Sequence, residues 1–373
     1  MWKLLFPSIA MIAITYAFAR FSFGLFLPSI TDSLALTERQ AGISSSSAYL
    51  AYTVALLTSS FFIRTFGQKR VIQFAGLTAV IGLFMISGSY HFLMLASGTF
   101  IAGLGSGWAS PAFSQVVVTS LEEKKRDKGN TWINSGTSFG LILSGPIALL
   151  LTEQWRLAFA FFGVVALVVL IWNSCIIPDK KTEVSKVTFF DRSIFAKAKY
   201  LIIASLIIGI GSSIFWTFSR TYLTAQYSMG SHESSFFWVI MGISGVIGGI
   251  AGVVIAKLGL RKSYFFAVVL IAASLYFITI SSAPFIYLSA VLFGTSYIFM
   301  TGLFIVWGSR EFSNMPAVGV SLSFLLLGVG QTVGSAVAGE LIQVTSFPFS
   351  FISFSFVCLL GLLVPVKITT YER

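Results

Sequence analysis

Twelve apolar stretches run almost end to end along this chain of 373 residues, and the cations between them collect on every second connection. The stretches fall near 4–29, 42–63, 71–90, 93–118, 130–152, 156–177, 200–226, 233–256, 263–283, 285–308, 317–342 and 347–366. A helix needs about 20 apolar residues to cross the hydrocarbon of a bilayer, and each stretch is close to that length. With the N-terminus inside, the inner segments hold Lys3, Arg64, Lys69, Arg70, the cluster from Lys124 to Lys128, six cations in 178–199, Lys257, Arg261, Lys262, Arg310, Lys367 and Arg373. The outer connections hold only Arg39 and Arg156. This asymmetry predicts an even number of crossings of the cell membrane, with both termini cytoplasmic. It also gives the formal net charge of +11 a use that needs no nucleic acid, because the inner cations face anionic lipid headgroups.

With 56% hydrophobic and 10% charged residues, no soluble domain of this length could bury its apolar surface in one core. An all-α membrane protein is expected, with lipids as its solvent and no room for an enzyme domain. No zinc spacing, phosphate-binding glycine loop or Ser/His/Asp set is present, so neither a metal nor a cofactor is expected, nor an ATP-driven pump. Cys175 and Cys358 lie in apolar stretches and are expected to be small buried hydrophobes. The first stretch lacks a small-residue cleavage site and reads as a retained span.

The polar segment 178–199 falls near the middle of the chain and separates six spans in 1–177 from six in 200–373. It reads as a cytoplasmic linker, in which Phe189-Phe190 and Ile194-Phe195 suggest a short amphipathic piece against the membrane. A repeat supports the division. Phe66-Gly67-Gln68-Lys69-Arg70 follows span 2, and Leu258-Gly259-Leu260-Arg261-Lys262 follows span 8. In each copy the glycine permits a tight turn, and the paired cations anchor the loop at the headgroups.

These loops, with Phe23-Gly24-Leu25-Phe26-Leu27-Pro28, Thr37-Glu38-Arg39-Gln40-Ala41-Gly42 and Trp155-Arg156, give the chain a resemblance to the major facilitator superfamily over nearly its whole length. The resemblance implies twelve transmembrane helices in two pseudo-symmetric six-helix bundles and secondary transport by alternating access. It also implies gating roles for Gly67, Lys69, Arg70, Gly259, Arg261 and Lys262. The chain departs from the family pattern where Arg64 and Ala256 replace the loop acid, and where Thr99 stands for the helix-4 arginine.

Two arginines lie inside spans 1 and 7, in similar settings: Tyr16-Ala17-Phe18-Ala19-Arg20 and Trp216-Thr217-Phe218-Ser219-Arg220. A fixed cation at membrane depth costs ~2.5–3.5 kcal/mol on insertion scales, so it is rarely idle. A guanidinium fork binds carboxylate or phosphate bidentately, which makes a small organic anion the expected substrate of the Arg20 and Arg220 pair. The alternative is a structural role for each, by snorkelling or by pairing with a carboxylate such as Asp32. At helical spacing Tyr16, Arg20 and Gly24 share a face. Tyr52, Asn134, Thr217, Tyr297 and Gln331 are further candidates for contact with substrate. Asp32 and Glu340 are the candidate proton-coupling groups. A proton-driven exporter of drugs or lipophilic metabolites is the second reading, and a non-transporting sensor or lipid-handling protein the third. A monomer is expected.

Overall fold

Backbone groups surrounded by lipid find no water, so an apolar chain crosses a membrane as helices that bond within themselves. The computed structural model describes residues 1–151, 154–179, 192–312 and 315–366, and these contain helices and connections only. The chain divides into two compact units, Met1–Lys186 and Val187–Arg373. Among the described residues, ten helical segments are each long and apolar enough to cross a membrane. A bent pair makes an eleventh span, and Phe347–Leu363 is a shorter apolar helix. The expected twelve crossings are consistent with that set.

In the first unit, α1 (Trp2–Ile12) runs into a nine-residue π-helix (Ala13–Phe21) and on into α2 (Ser22–Leu34) as one span. α3 (Glu38–Phe66) starts at a capping box. Gln40 N–H donates to the Thr37 hydroxyl, and Thr37 N–H donates to the Gln40 side chain. Then follow α4 (Gln68–Ser87), α5 (Phe92–Ser120), α6 (Glu123–Asn134), α7 (Gly136–Leu151) and α8 (Trp155–Ile176). α5 packs on both α3 and α4, α4 packs on α8, and the π-helix packs on α7. In α8 the inward stripe is Ala158, Phe159, Phe162, Ala166, Val169 and Asn173, while Phe161, Val164, Val168 and Ile171 point outward. A helix apolar on both faces belongs in lipid.

The second unit holds α9 (Arg192–Tyr227), α10 (Ser231–Gly248), α11 (Ala251–Leu258), α12 (Leu260–Phe277), α13 (Ala283–Glu311), α14 (Pro316–Val344) and α15 (Phe347–Leu359). The packing pattern repeats: α13 packs on α10 and α12, α12 on α15, and α9 on α14. Single bonds repeat as well. Thr99 Oγ1 donates to the Ser44 carbonyl at 2.8 Å, and Thr295 Oγ1 donates to the Ser244 carbonyl at 3.0 Å. The loop glycines share one backbone conformation: φ 85°, ψ 157° at Gly67 and φ 79°, ψ 159° at Gly259. That region is essentially closed to residues with a Cβ.

Several expectations change. The helix of the seventh span begins at Arg192, so Ile194 and Phe195 are part of α9, while Phe189-Phe190 lies outside the described residues. The eighth span is broken by a 50° bend between α10 and α11, where consecutive glycines Gly248 and Gly249 weaken the helix. Cys358 is buried, but Cys175 is exposed, because it sits on the outward side of α8 where no neighbouring helix covers it. Lys367 and Arg373 lie outside the described residues.

Candidate functional site

Arg20 stands in the last turn of the π-helix and is 6% exposed. α7 is pressed against the first span through two glycines, Gly136 against α1 and Gly140 against the π-helix. A Cβ on Gly136 would stand 2.3 Å from the Ile9 carbonyl oxygen, and one on Gly140 would stand 2.6 Å from Ala17 Cβ. Widening the turn leaves carbonyls poorly served, and hydroxyls cover some of them. Thr15 donates to Met11 O at 2.9 Å, and Ser22 donates to Phe18 O. Tyr16 and Arg20, both within the π-helix, still lie side by side, with the guanidinium carbon 5.0 Å from the Tyr16 ring, whereas Gly24 lies beyond it in α2.

The Arg20 guanidinium is enclosed by rings. Its central carbon lies 4.3 Å from the Tyr52 ring centroid, 4.5 Å from Phe21, 5.0 Å from Tyr16 and 5.5 Å from Tyr49. Ring faces attract a cation, each by about 0.5–2 kcal/mol, and so offset part of its desolvation. They accept no hydrogen bonds of ordinary strength. Nε and Nη1 of Arg20 are buried with no hydrogen-bond partner, and the group makes no ion pair among the described residues. From this cation a polar row leads outward. Tyr16 meets Tyr52 edge-on with ring centroids 6.2 Å apart, its hydroxyl stands near that of Ser110, and Ser110 Oγ donates to Asn134 Oδ1 at 3.4 Å. Exposure rises along the row, from buried Arg20 through half-buried Tyr16 and Ser110 to exposed Asn134. Asn134 is the last residue of α6, at the break before α7. The structure therefore brings Tyr16, Arg20, Tyr52 and Asn134 together. Phe21 and Ser110 join them: Phe21 follows Arg20 directly in the chain, while Ser110 is brought in by the packing of α5 on the π-helix, which no spacing in the sequence marks.

In the second unit the expected residues are engaged with one another. Arg220 is 1% exposed, and its Nε donates to Ser234 Oγ at 3.1 Å and its Nη2 to the Ser231 carbonyl at 3.3 Å. It thereby ties α9 to the first turn of α10. Thr217 and Ser335 hydroxyls share a hydrogen bond of 2.9 Å, and Gln331 Nε2 donates to the Tyr297 hydroxyl at 2.9 Å. Tyr297 in turn packs edge-on against Trp216 at 5.1 Å.

The other expected groups lie apart from these. Arg70, Arg261 and Lys262 are exposed beside the loop glycines, and Lys69 is half-buried. Gln68 is 1% exposed and donates from Nε2 to Thr119 Oγ1 at 3.0 Å, which closes the first loop onto α5. Asp32 is exposed near the end of α2, and Glu340 is half-buried near the end of α14. Arg156 clamps the start of α8: it donates to Ser33 Oγ at 2.9 Å and to the Ser89 carbonyl at 3.0 Å, and it lies over the Trp155 ring. A cavity of about 300 Å³ beside it is lined by Ser29, Ser33, Gln154, Trp155, Arg156 and Leu157. No group of three or more His, Cys, Asp or Glu is placed to hold a metal among the described residues.

Known proteins share this architecture. A solved D-xylose-proton symporter superposes over 99% of both chains with a TM-score of 0.82 at 13% identity, which is a likeness of fold. The Bacillus subtilis (strain 168) uncharacterized transporter YybO is 25% identical over 92% of this chain and 88% of its own. The hexuronate transporter of the same organism is 22% identical over 60% of this chain and 57% of its own. The family model for the Major Facilitator Superfamily matches residues 9–324, and the chain belongs to that family of membrane transporters.

Proposed function

We propose that this transporter carries a small organic anion by alternating access, with Arg20 as the group that binds it. One observation carries the reading. A guanidinium held at membrane depth is 6% exposed, with two buried nitrogens unserved by the protein and no counter-ion among the described residues. Such a cation is expensive unless something completes it, and an anion completes it with charge-assisted hydrogen bonds. The name of the hexuronate transporter, a relative at 22% identity, fits a carboxylate.

The exporter reading for lipophilic cations is less well supported, because the aromatic cage that would attract such a ligand already encloses Arg20. Proton coupling finds little support beside the site. The carboxylates of the first unit whose side chains are described, Asp32, Glu38, Glu122, Glu123 and Asp179, all lie at or near helix ends. The placement is multi-pass in a cell membrane with cytoplasmic termini, as the distribution of basic residues suggests.

The test is binding and counterflow with purified protein in liposomes, using a panel of monocarboxylates and matched ammonium compounds. Wild type should be stabilised by carboxylates. Arg20→Gln should weaken that binding roughly 10- to 100-fold, the worth of a hydrogen bond to a charged group. Stabilisation by the ammonium set alone, or undiminished carboxylate binding in Arg20→Gln, would end the proposal.

A further inference from the structure

The anion reading leaves open what else the ligand carries, and the polar row beside Arg20 bears on that. Resting on that reading, we infer that the substrate is a hydroxylated carboxylate, whose carboxylate meets Arg20 while hydroxyls on the following carbons bond to Tyr16, Ser110 and Asn134. Four features of the first unit lead there.

The donors of a guanidinium lie in its plane, and the Tyr52 and Phe21 rings already crowd its centre within 4.5 Å, so an anion must meet its N–H edges. The groups next in line are hydroxyl, hydroxyl and amide, which both donate and accept; a bare alkyl chain satisfies none of them. The row joins three spans, through Tyr16 on the π-helix, Ser110 on α5 and Asn134 at the end of α6, so it is a built feature and not the self-bonding of one helix. Its bonds are also loose where a ligand would enter. The Ser110–Asn134 contact is 3.4 Å, long for a hydroxyl donor, and Asn134 at the exposed end keeps an amide group available. Ser110 becomes a specificity residue on this view, touching the ligand's hydroxyl and not its charge.

The experiment uses the purified full chain and four hydroxylated acids of three to six carbons: glycerate, threonate, gluconate and glucuronate. Each is measured against the unsubstituted carboxylate of equal chain length, with glucose as the uncharged polyol. At least one hydroxylated acid should bind about ten-fold more tightly than its unsubstituted partner, and glucose should not bind detectably, since a site built to bond a hydroxyl penalises its loss. Ser110→Ala and Asn134→Leu should each weaken the hydroxylated acid several-fold and leave the unsubstituted one unchanged, while Arg20→Gln weakens both. Equal affinity for the paired acids, or equal losses in the Ser110 and Asn134 variants, overturns this inference and leaves the anion reading standing. Undiminished binding of both acids in Arg20→Gln overturns the anion reading itself, and failure of every carboxylate to bind wild type overturns both.

Discussion

The guanidinium carbon of Arg20 lies 4.3 Å from the centroid of the Tyr52 ring, on the neighbouring helix α3. Tyr52 is 2% exposed, so this cation is held by a desolvated ring and not by a carboxylate. The ring face and the hydroxyl are separable. Tyr52→Phe should keep carboxylate affinity within a few-fold, whereas Tyr52→Leu should lower the melting temperature and weaken binding, by about 1–2 kcal/mol in each case. Thermal-shift titration of both variants checks it; equal behaviour of Phe and Leu would remove the ring from the account.

Arg220 should behave differently from Arg20. Its donors are engaged by Ser234 Oγ and the Ser231 carbonyl, so Arg220→Gln removes a tie between α9 and α10. The expected cost is stability, about 1–3 kcal/mol, with carboxylate affinity at low temperature little changed. Melting curves with and without ligand distinguish the two effects. A selective loss of affinity would restore Arg220 to the binding site.

Gly140→Val should prevent normal assembly of the first unit. Even a Cβ there would stand 2.6 Å from Ala17 Cβ and 2.8 Å from the Ala13 carbonyl oxygen, in a pair of helices with no room to part. Gly230→Ala is the control, since nothing lies within 4 Å of a Cβ at that position. Monodisperse yield on size-exclusion chromatography should collapse for the first and hold for the second.

The loop glycines test backbone strain alone. A Cβ at Gly259 meets nothing within 4 Å, yet its φ is 79° and ψ 159°. Gly259→Ala should therefore destabilise by about 1–3 kcal/mol without any clash. An unchanged melting temperature would mean that the turn adopts another conformation at little expense.

Much of this was legible in the chain itself. The offset loops announced a repeat, and Gly67 and Gly259 share one conformation. Thr37 and Gln40 stand three residues apart, as a capping box requires. What escaped the sequence depends on neighbours. The π-helix follows no local propensity in Ala13–Phe21, and its glycine-faced contact lies over 100 residues away in α7. The two arginines have similar local surroundings, yet one is bonded by serines of the next helix and the other only by rings. Nothing within either pentapeptide distinguishes those fates. The exposure of Cys175 likewise depends on which side of α8 lacks a neighbour.

The π-helix between Ala13 and Phe21 holds more residues in each turn than an α-helix does. A helical-wheel diagram drawn straight through residues 2–34 therefore slips phase halfway, and a cysteine-accessibility scan would show two stripes out of register with each other. Removing one residue from that interval would turn every side chain beyond it, Arg20 included if the cut precedes it, by about a quarter turn away from the rings that now surround it. For this reason relatives differing by a single insertion or deletion in their first span should be aligned there by geometry before their arginines are equated.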